Sequence, residues 1–245
     1  MNKSAVYIVF LFLFVTAHAQ NSVVITERTL GWGGLQLQLK QNKHWSYSLD
    51  AQTRYDFSRK EWFQHLVRPG VTYSSPSDYT YTADFAYFLL FPSPNDKPAR
   101  QEWRLWQEAG KRFKSEHHLF YPRLRTEQRF IRQYSGNELS DEFTFHSFRI
   151  RLRADYFWYP KGMQSNGWFA FIGNELFFYR LKNAFSAFDQ NRFYVGPGYR
   201  FSVNFSATLV YMNLFLQTNI TNYENHHTFR ATFLFNLALP DKHEQ

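Results

Sequence analysis

The clearest pattern in the chain lies between Trp45 and Phe57, where apolar and polar side chains alternate at every second residue. The odd positions carry aromatic or aliphatic residues or Thr, and the even positions carry Ser, Ser, Asp, Gln, Arg and Asp. The same alternation recurs over Tyr79–Phe91, Thr144–Trp158 and Phe229–Leu239. A period of two is that of a β-strand, whereas an amphipathic helix repeats its apolar positions every three or four residues. Long strands with one oily and one ionic face are typical of transmembrane β-barrels.

The alternation predicts an all-β fold, an antiparallel transmembrane β-barrel of about twelve strands, with ten strands as the alternative. Eleven strands follow directly from the pattern and from the turn residues between them. They are Trp32–Lys40, Trp45–Phe57, Trp62–Tyr73, Tyr79–Phe91, Arg100–Gly110, His118–Ile131, Phe143–Trp158, Trp168–Tyr179, Asn191–Phe201, Phe205–Gln217 and His226–Leu239. Because bacterial barrels have an even number of strands, we expect Ser22–Arg28 to supply a further one.

The predicted connections alternate in length. The tight ones are Gln41–His44, Ser74–Asp78 and Ser202–Asn204, and the looser ones are Pro92–Ala99, Gln133–Glu142, Arg180–Gln190 and Thr218–Asn225. Bacterial barrels keep their tight turns in the periplasm and their longer loops outside. This difference predicts a chain that ends in the periplasm.

The first nineteen residues resemble a secretory signal peptide. Lys3 supplies a basic start, Ala5–Val15 forms an apolar run, and Ala17-His18-Ala19 is a small-x-small cleavage site. The run is too short to span a membrane as a helix. We therefore expect a signal peptide over residues 1–19, one barrel domain over 20–239, a polar tail over 240–245, and a location in the cell outer membrane.

Composition narrows the class of protein. Phe 28, Tyr 16 and Trp 7 make the chain 21% aromatic, although its mean hydropathy is only −0.50. Membrane barrels use aromatic residues in the girdles where lipid meets water. The chain has no Cys, which fits an exported protein closed without disulfides. The net charge of +8 is expected to lie inside and at the rim of the barrel, and export argues against a nucleic-acid partner.

Each strand can be assigned an outward and an inward face. The predicted lipid-facing residues are Tyr47, Leu49, Ala51 and Tyr55; Tyr81, Ala83, Phe85, Tyr87 and Leu89; Phe148, Ile150, Leu152, Ala154 and Tyr156; and Phe229, Ala231, Phe233, Phe235 and Leu237. The last set also resembles the C-terminal signal that barrel-assembly machinery reads, which makes that machinery an expected partner during insertion.

The opposite faces predict a cluster of charges in the lumen. Its members are Glu102, Arg104, Glu108, Arg123, Arg125, Glu127, Arg129, Arg149, Arg151, Arg153, Asp155, Glu175 and Arg192. Mixed charges at alternate positions of adjacent strands can form cross-strand ion pairs, and Arg on the lipid face would cost about 2–4 kcal/mol at mid-bilayer. Two interpretations follow: a salt-bridged plug that fills the lumen, or an Arg-lined path for anions.

Catalysis and metal binding have weaker signals. An outer-membrane phospholipase needs a Ser activated by a His, and the paired residues His117-His118 and His226-His227 lie at strand starts without such a Ser nearby. Neighbouring strand residues point to opposite faces, so His226, His227 and Glu224 do not suit one metal ion. We expect no catalytic residue, no metal and no cofactor.

Several motifs occur in order along the chain. They are Glu102-x-Arg104-x-Trp106-Gln107, Arg123-x-Arg125-x-Glu127-Gln128-Arg129-Phe130, Asn174-Glu175, and Phe188-Asp189-Gln190-Asn191-Arg192 followed by Gly196-x-Gly198-Tyr199. Together they resemble domain of unknown function 2490, a family of outer-membrane barrels of Gram-negative bacteria. The resemblance covers nearly the whole chain after the signal peptide. It implies a fold and a location and no activity.

Three function classes remain open at the level of sequence. The first is a structural or accessory barrel that contacts outer-membrane lipid and possible envelope protein partners. The second is a small anion-leaning channel, and the third is a lipid-modifying outer-membrane enzyme. A continuous lumen would favour the channel, and a Ser–His contact would favour the enzyme.

Overall fold

The computed structural model describes residues 24–92, 97–181, 184–218 and 221–239, and at 179–181 and 184–187 it describes the backbone alone. The strands are β1 Val24–Lys40, β2 Trp45–Asp56, β3 Glu61–Ser74, β4 Tyr79–Leu90, β5 Arg100–Lys111, β6 Phe113–Lys114, β7 His118–Ser135, β8 Glu138–Trp158, β9 Gly167–Leu181, β10 Ala184–Ser202, β11 Phe205–Gln217 and β12 Asn222–Ala238. Over these ranges no helix has the length and apolar character needed to cross a membrane. The predicted signal peptide (residues 1–19) and polar tail (residues 240–245) lie outside the described residues.

Eleven of the twelve strands close into a barrel. The hydrogen-bonded order runs from β5 through β1 and β12 to β7, and β5 pairs with β7 to complete the ring. The remaining strand, β6, has two residues and pairs only with β7. The all-β barrel of about twelve strands is therefore confirmed.

The first strand differs from the prediction. Residues Val24–Arg28 do not form a separate strand but begin β1, which continues without a turn to Lys40. The ring then contains an odd number of strands, and strict alternation of direction cannot close it. The structure resolves this with one parallel pair, β1 beside β12, in which Val24 pairs with Asn222 and Lys40 with Ala238. We call the end of the barrel at Val24 the upper end and the end at Lys40 the lower end.

Two of the predicted looser connections are mostly strand. β7 reaches Ser135 and β8 begins at Glu138, so only a two-residue turn remains, in which Gly136 has a φ of 65°. Likewise β9 ends at Leu181 and β10 begins at Ala184. The pairing of β7 with β8 continues beyond the ring as far as their turn, where Tyr134 still pairs with Leu139. The loop lengths thus differ less between the two ends than the sequence predicted.

The strands are strongly staggered. Following paired residues once around the ring from Lys40 leads back to Thr26 of the same strand, a stagger of 14 residues. For eleven strands this corresponds to a tilt of about 40°. Such a barrel is wider than an eight-stranded one, whose interior is just filled by side chains. Long inward side chains are needed to fill it.

The outer face has three layers. Aliphatic residues occupy the middle, among them Leu49, Val67, Leu105, Leu124, Leu152, Ile172, Val195 and Leu209, all at least 40% exposed. Aromatic residues surround the lower end, where Trp45 contacts Tyr73 at a centroid distance of 5.1 Å and Phe205 contacts Phe235 at 5.0 Å. A second aromatic belt surrounds the upper end, where Tyr55 contacts Trp62 at 5.0 Å. Between the belts, no Asp, Glu, Lys or Arg of the described residues points outward.

The inner face divides into an apolar half and a charged half. One buried cluster joins β1, β9, β10 and β11 and includes Leu30, Trp32, Phe171 and Met212. A smaller one joins β3 and β4 around Phe88. The wall formed by β5, β7 and β8 carries most of the charged side chains, and these face the apolar half across the lumen.

Candidate functional site

The charges predicted for the lumen lie on the inner face of five consecutive strands of the ring. They comprise Glu102, Arg104 and Glu108 on β5; Arg123, Arg125, Glu127 and Arg129 on β7; Arg149, Arg151, Arg153 and Asp155 on β8; Glu175 on β9; and Arg192 on β10. Within each strand these residues are two or four positions apart, so their side chains share one face. We refer to this set as the charged interior.

Arg151 is the centre of the charged interior. Its Nη1 donates to Glu127 on the preceding strand, and its Nε and Nη2 donate to Oε1 of Glu175 on the following strand, at 3.1 and 2.5 Å. Glu127 is 0% exposed and Glu175 is 3% exposed. One guanidinium therefore ties three strands together where water does not reach.

Two further acids organise the upper and lower parts. Glu102 accepts from Arg104 at 2.7 Å and from Arg129 at 2.5 and 3.0 Å. Glu108 accepts from Nε and Nη2 of Arg125 at 2.8 and 2.5 Å, and Arg123 Nη1 lies 3.5 Å from its other oxygen. Each acid thus lies between two arginines and offsets their mutual repulsion.

Asp155 joins the charged interior to the apolar half. It accepts from Arg123, from Arg153 Nε at 3.1 Å and from the Tyr194 hydroxyl. Gly173 lies between Asp155 and Tyr194 in the pairing register, and a Cβ there would lie 2.5 Å from both side chains. Glycine at this position is what allows the Tyr194 ring to cross the strand and reach Asp155.

Aromatic rings compensate part of the excess positive charge. The Cζ atom of Arg125 lies 3.8 Å from the Trp106 ring centroid, and that of Arg68 lies 4.5 Å from it. Phe177, which is 0% exposed, has Arg151 at 4.3 Å and Arg192 at 4.4 Å. Desolvated cation–π contacts contribute about 2 kcal/mol each. These rings lie in the same layer as the ion pairs and help to fill the lumen.

Sequence reasoning left several inward charges out of the predicted set. Arg68 pairs with Asp50, and Arg149 Nη2 lies 2.9 Å from Asp189 of the predicted loop motif, which is part of β10. Arg54 and Arg230 also point inward. For Asp50, Arg54, Arg68 and Arg230 the signal was present, because these residues occupy the polar positions of alternating strands. Asp189 lies at a register irregularity and had no such signal.

Both mouths of the barrel carry structured side chains. At the lower end the rings of Phe157 and Phe171 stack at a centroid distance of 5.4 Å, and the tilted rings of Tyr159 and Phe169 lie 5.3 Å apart. Arg200 donates to the Met163 carbonyl. Burial raises the pKa of the Tyr159 hydroxyl. The upper end retains a cavity of about 290 Å³ beside the strand ends, whose lining includes Arg28, Arg59, Arg100, Phe63 and Tyr134.

Asp78 marks the lower rim outside the strands. It lies in the turn between β3 and β4 with a φ of 64°, in the left-handed region that Asp tolerates. A hydrogen bond from Lys114, together with its charge, holds the pKa of the Asp78 carboxyl below its ordinary value. The Asp78 carbonyl also accepts from the Arg112 amide at 3.0 Å. This turn therefore fastens one hairpin to the segment that carries β6.

No set of three or more His, Cys, Asp or Glu residues within the described ranges could hold a metal ion. His226 contacts Glu224 at 2.6 Å, and His227 contacts Glu27 at 3.1 Å, so the two neighbouring rings face opposite sides of β12. The expectations of no metal, no cofactor and no catalytic residue stay predictions.

Comparison with known proteins assigns the chain to a family. A search of curated proteins finds no match to the chain. The model of the family described as "Protein of unknown function (DUF2490)" matches residues 29–225, a range that begins in β1 and ends in β12. This range covers most of the sequence, and the chain belongs to the DUF2490 family.

Proposed function

We propose that this protein is an integral outer-membrane β-barrel whose lumen is filled by an ionic network, and that its role is structural or accessory. The observation that carries the location is the outer face, where an aliphatic band lies between two aromatic belts. In water such a surface would expose far more contiguous apolar area than a monomeric soluble protein usually carries. In a bilayer it matches the band and girdles of transmembrane barrels.

The few polar side chains on the outer face support the same environment. Gln107 accepts from Thr126 at 2.9 Å and from Gln128 at 3.2 Å on the neighbouring strand. Asn174 and Asn191 exchange hydrogen bonds at 3.2 and 3.3 Å. Hydrocarbon offers no hydrogen-bond partners, so polar groups there are favoured when they satisfy each other. These pairs fit a surface that faces lipid.

Burial supports a plugged lumen over an open conduit. Side chains from opposite sides of the ring are almost inaccessible to water, among them Trp106 at 2%, Phe177 at 0%, Met212 at 2% and Thr228 at 0%. A continuous aqueous path would leave a ring of such side chains accessible. The interleaved acids of the charged interior stabilise this packing. The anion-leaning channel is therefore the second candidate, favoured only by the surplus of inward arginines.

The location is tested by fractionation. We expect the protein to remain with outer-membrane fractions until detergent is added, and to migrate faster on a gel without heating than after boiling, because a closed barrel resists SDS. Recovery of the whole protein in the soluble periplasm would contradict the membrane location and favour a soluble β-barrel. Outer-membrane lipid and the assembly machinery are the partners that this location implies.

The state of the lumen is tested by planar-bilayer recording. We expect no steady conductance from the purified wild-type protein, because the charged interior closes the path. The double variant Arg125→Ala plus Arg151→Ala removes two large side chains from the plug and is expected to conduct, provided that its migration before heating shows a closed barrel. Wild-type conductance selective for chloride over potassium, lost in the double variant, would instead make the protein an anion channel.

A further inference from the structure

Arg54 and Arg230 differ from the arginines of the charged interior. On the strands that flank β1, both pair in register with Trp32, Arg54 from β2 and Arg230 from β12. Arg54 donates to Gln64 and, at 3.2 Å, to Gln52, which are neutral acceptors. Within the described residues neither arginine has a carboxylate oxygen within 4.0 Å. Both guanidinium groups therefore point into the lumen without a direct ion pair. The nearest counter-charges, Asp50 for Arg54 and Asp155 for Arg230, act from beyond contact distance.

A third guanidinium lies close to Trp32. The Trp32 ring has the Cζ atom of Arg54 at 3.8 Å and that of Arg192 at 5.7 Å. Arg192 donates to Gln190 at 3.3 Å, and its nearest carboxylate oxygen, on Glu175, is 3.8 Å away. Glu175 already accepts two hydrogen bonds from Arg151 through its other oxygen. Within the described residues, Arg192 thus has only a more distant carboxylate that another arginine occupies, and Arg54 and Arg230 have none within ion-pair distance.

The same place contains buried donors that have no acceptor. Trp32 is 6% exposed and its Nε1 has no hydrogen-bond partner, and the same holds for the Nε atoms of Arg54 and Arg230. Thr228, which is 0% exposed and two residues from Arg230 on the same face, has an unpartnered hydroxyl. A buried donor without an acceptor destabilises the fold, because its lost hydrogen bond to water is not replaced. These unpartnered donors lie on β2, β1 and β12, which are adjacent, and a bound acceptor would stabilise them.

The remaining accessible space in the lumen has one sign of charge. In the ion pairs around it the arginine side chain is more exposed than the acid: Arg68 at 22% against Asp50 at 5%, and Arg153 at 22% against Asp155 at 1%. Arg192 is 17% exposed and Glu175 4%. The carboxylates lie against the wall, and the guanidinium groups extend into the space. At these three pairs a small anion would meet the guanidinium groups before the carboxylates.

We propose that the lumen holds a small inorganic anion between Arg54, Arg230 and Arg192, with the Trp32 indole N–H as a further donor. Arginine stays protonated in proteins, so these groups cannot relieve their repulsion by losing a proton. Water would accept their hydrogen bonds but would leave the charge unbalanced, and an anion does both. The site depends on the inward face of β1, β2, β10 and β12, and not on where the protein resides in the cell.

Bromide provides a direct probe. Crystals of the wild-type protein grown or soaked with sodium bromide are expected to show an anomalous peak beside Trp32, between Arg54 and Arg230. Crystals of the Arg54→Met plus Arg230→Met variant are expected to show none there. A wild-type peak that persists at full height in the double variant would overturn the assignment, as would a wild-type protein that shows neither a bromide peak at this place nor a rise in Tm with phosphate.

Thermal unfolding gives a second measurement. The buffer anion methanesulfonate, which is bulky, is replaced by bromide or by inorganic phosphate at constant ionic strength. When the added anion is at a hundredfold excess over its Kd, the wild-type Tm is expected to rise by about 5–10 °C. The rise should vanish in the double variant, which removes two unpaired charges and is expected to be more stable than wild type in methanesulfonate. A rise with phosphate alone identifies an oxyanion, and a rise with both identifies a site open to halides.

A matched control separates the site from general salt effects. Arg59 lies at the upper rim, is 45% exposed and has its acids at 3.9 and 4.0 Å. The Arg59→Met variant is expected to keep the full anion-dependent rise in Tm. An equal rise in the wild type and in the Arg54→Met plus Arg230→Met variant would mean a general salt effect and would overturn the proposal.

Discussion

Replacement of Glu127 by glutamine is expected to lower the free energy of unfolding by about 3–5 kcal/mol. Glu127 is 0% exposed and faces two arginines, Arg151 through a hydrogen bond and Arg149 at 3.7 Å. Glutamine keeps the shape but removes the charge, which leaves two buried guanidinium groups with less compensation. The midpoint of urea unfolding, followed by tryptophan fluorescence in detergent, measures the change.

Glu138 provides the control for this prediction. It is exposed at the tip of the hairpin between β7 and β8, and exposed charges contribute little to stability. The same substitution there, Glu138→Gln, should change the free energy of unfolding by less than about 0.5 kcal/mol. Equal effects of the two substitutions would show that the charged interior does not stabilise the barrel.

Replacement of Leu152 by arginine is expected to prevent assembly into the outer membrane. Leu152 is 47% exposed in the aliphatic band, and its neighbours in the register, Leu124 and Leu176, are also apolar. An arginine at this depth costs about 2–4 kcal/mol in a bilayer. The amount of folded, heat-modifiable protein in outer-membrane fractions measures the outcome. Phe233→Arg should act in the same way from the other side of the ring.

Two control variants match this prediction: one changes a residue in the same aliphatic band, and the other introduces the same arginine elsewhere. Leu124→Ile keeps an apolar side chain at an outward position and should assemble normally, and Asn137→Arg places the charge in the exposed turn between β7 and β8. Normal assembly of Leu152→Arg would mean that this face meets water. A one-residue slip exchanges the two faces of a strand. Normal assembly of Leu152→Arg could therefore also mean that the register of β8 differs by one residue.

Much of the fold was predictable because the alternation of side chains is a local property. All eleven predicted strands lie where the structure has a long strand, and the outward sets on β2, β4, β8 and β12 lie on the outer face. The ends of strands were less predictable. β7 to β10 extend past their predicted ends because pairing with a neighbour, and not hydrophobicity, holds those residues.

The partners within the charged interior could not be derived from one strand. Arg151 reaches Glu127 and Glu175 because Arg125 and Phe177 are its direct neighbours in the register. A shift of two residues would keep every side chain on the same face and yet change every pair. Likewise, nothing in the alternation of β9 indicated that Gly173 makes room for Tyr194.

By itself, the sequence determined that this chain is a β-barrel, which residues face in and out, and that its interior is rich in arginine. These properties follow from side-chain periodicity and composition, which can be evaluated without knowing which strands are adjacent in the barrel. Only the tertiary structure decided that the ring has eleven strands with β1 parallel to β12, and which acid meets which arginine. It also decided that Arg54 and Arg230 form no direct ion pair among the residues that the structure describes, because closure brings strands from opposite ends of the chain side by side.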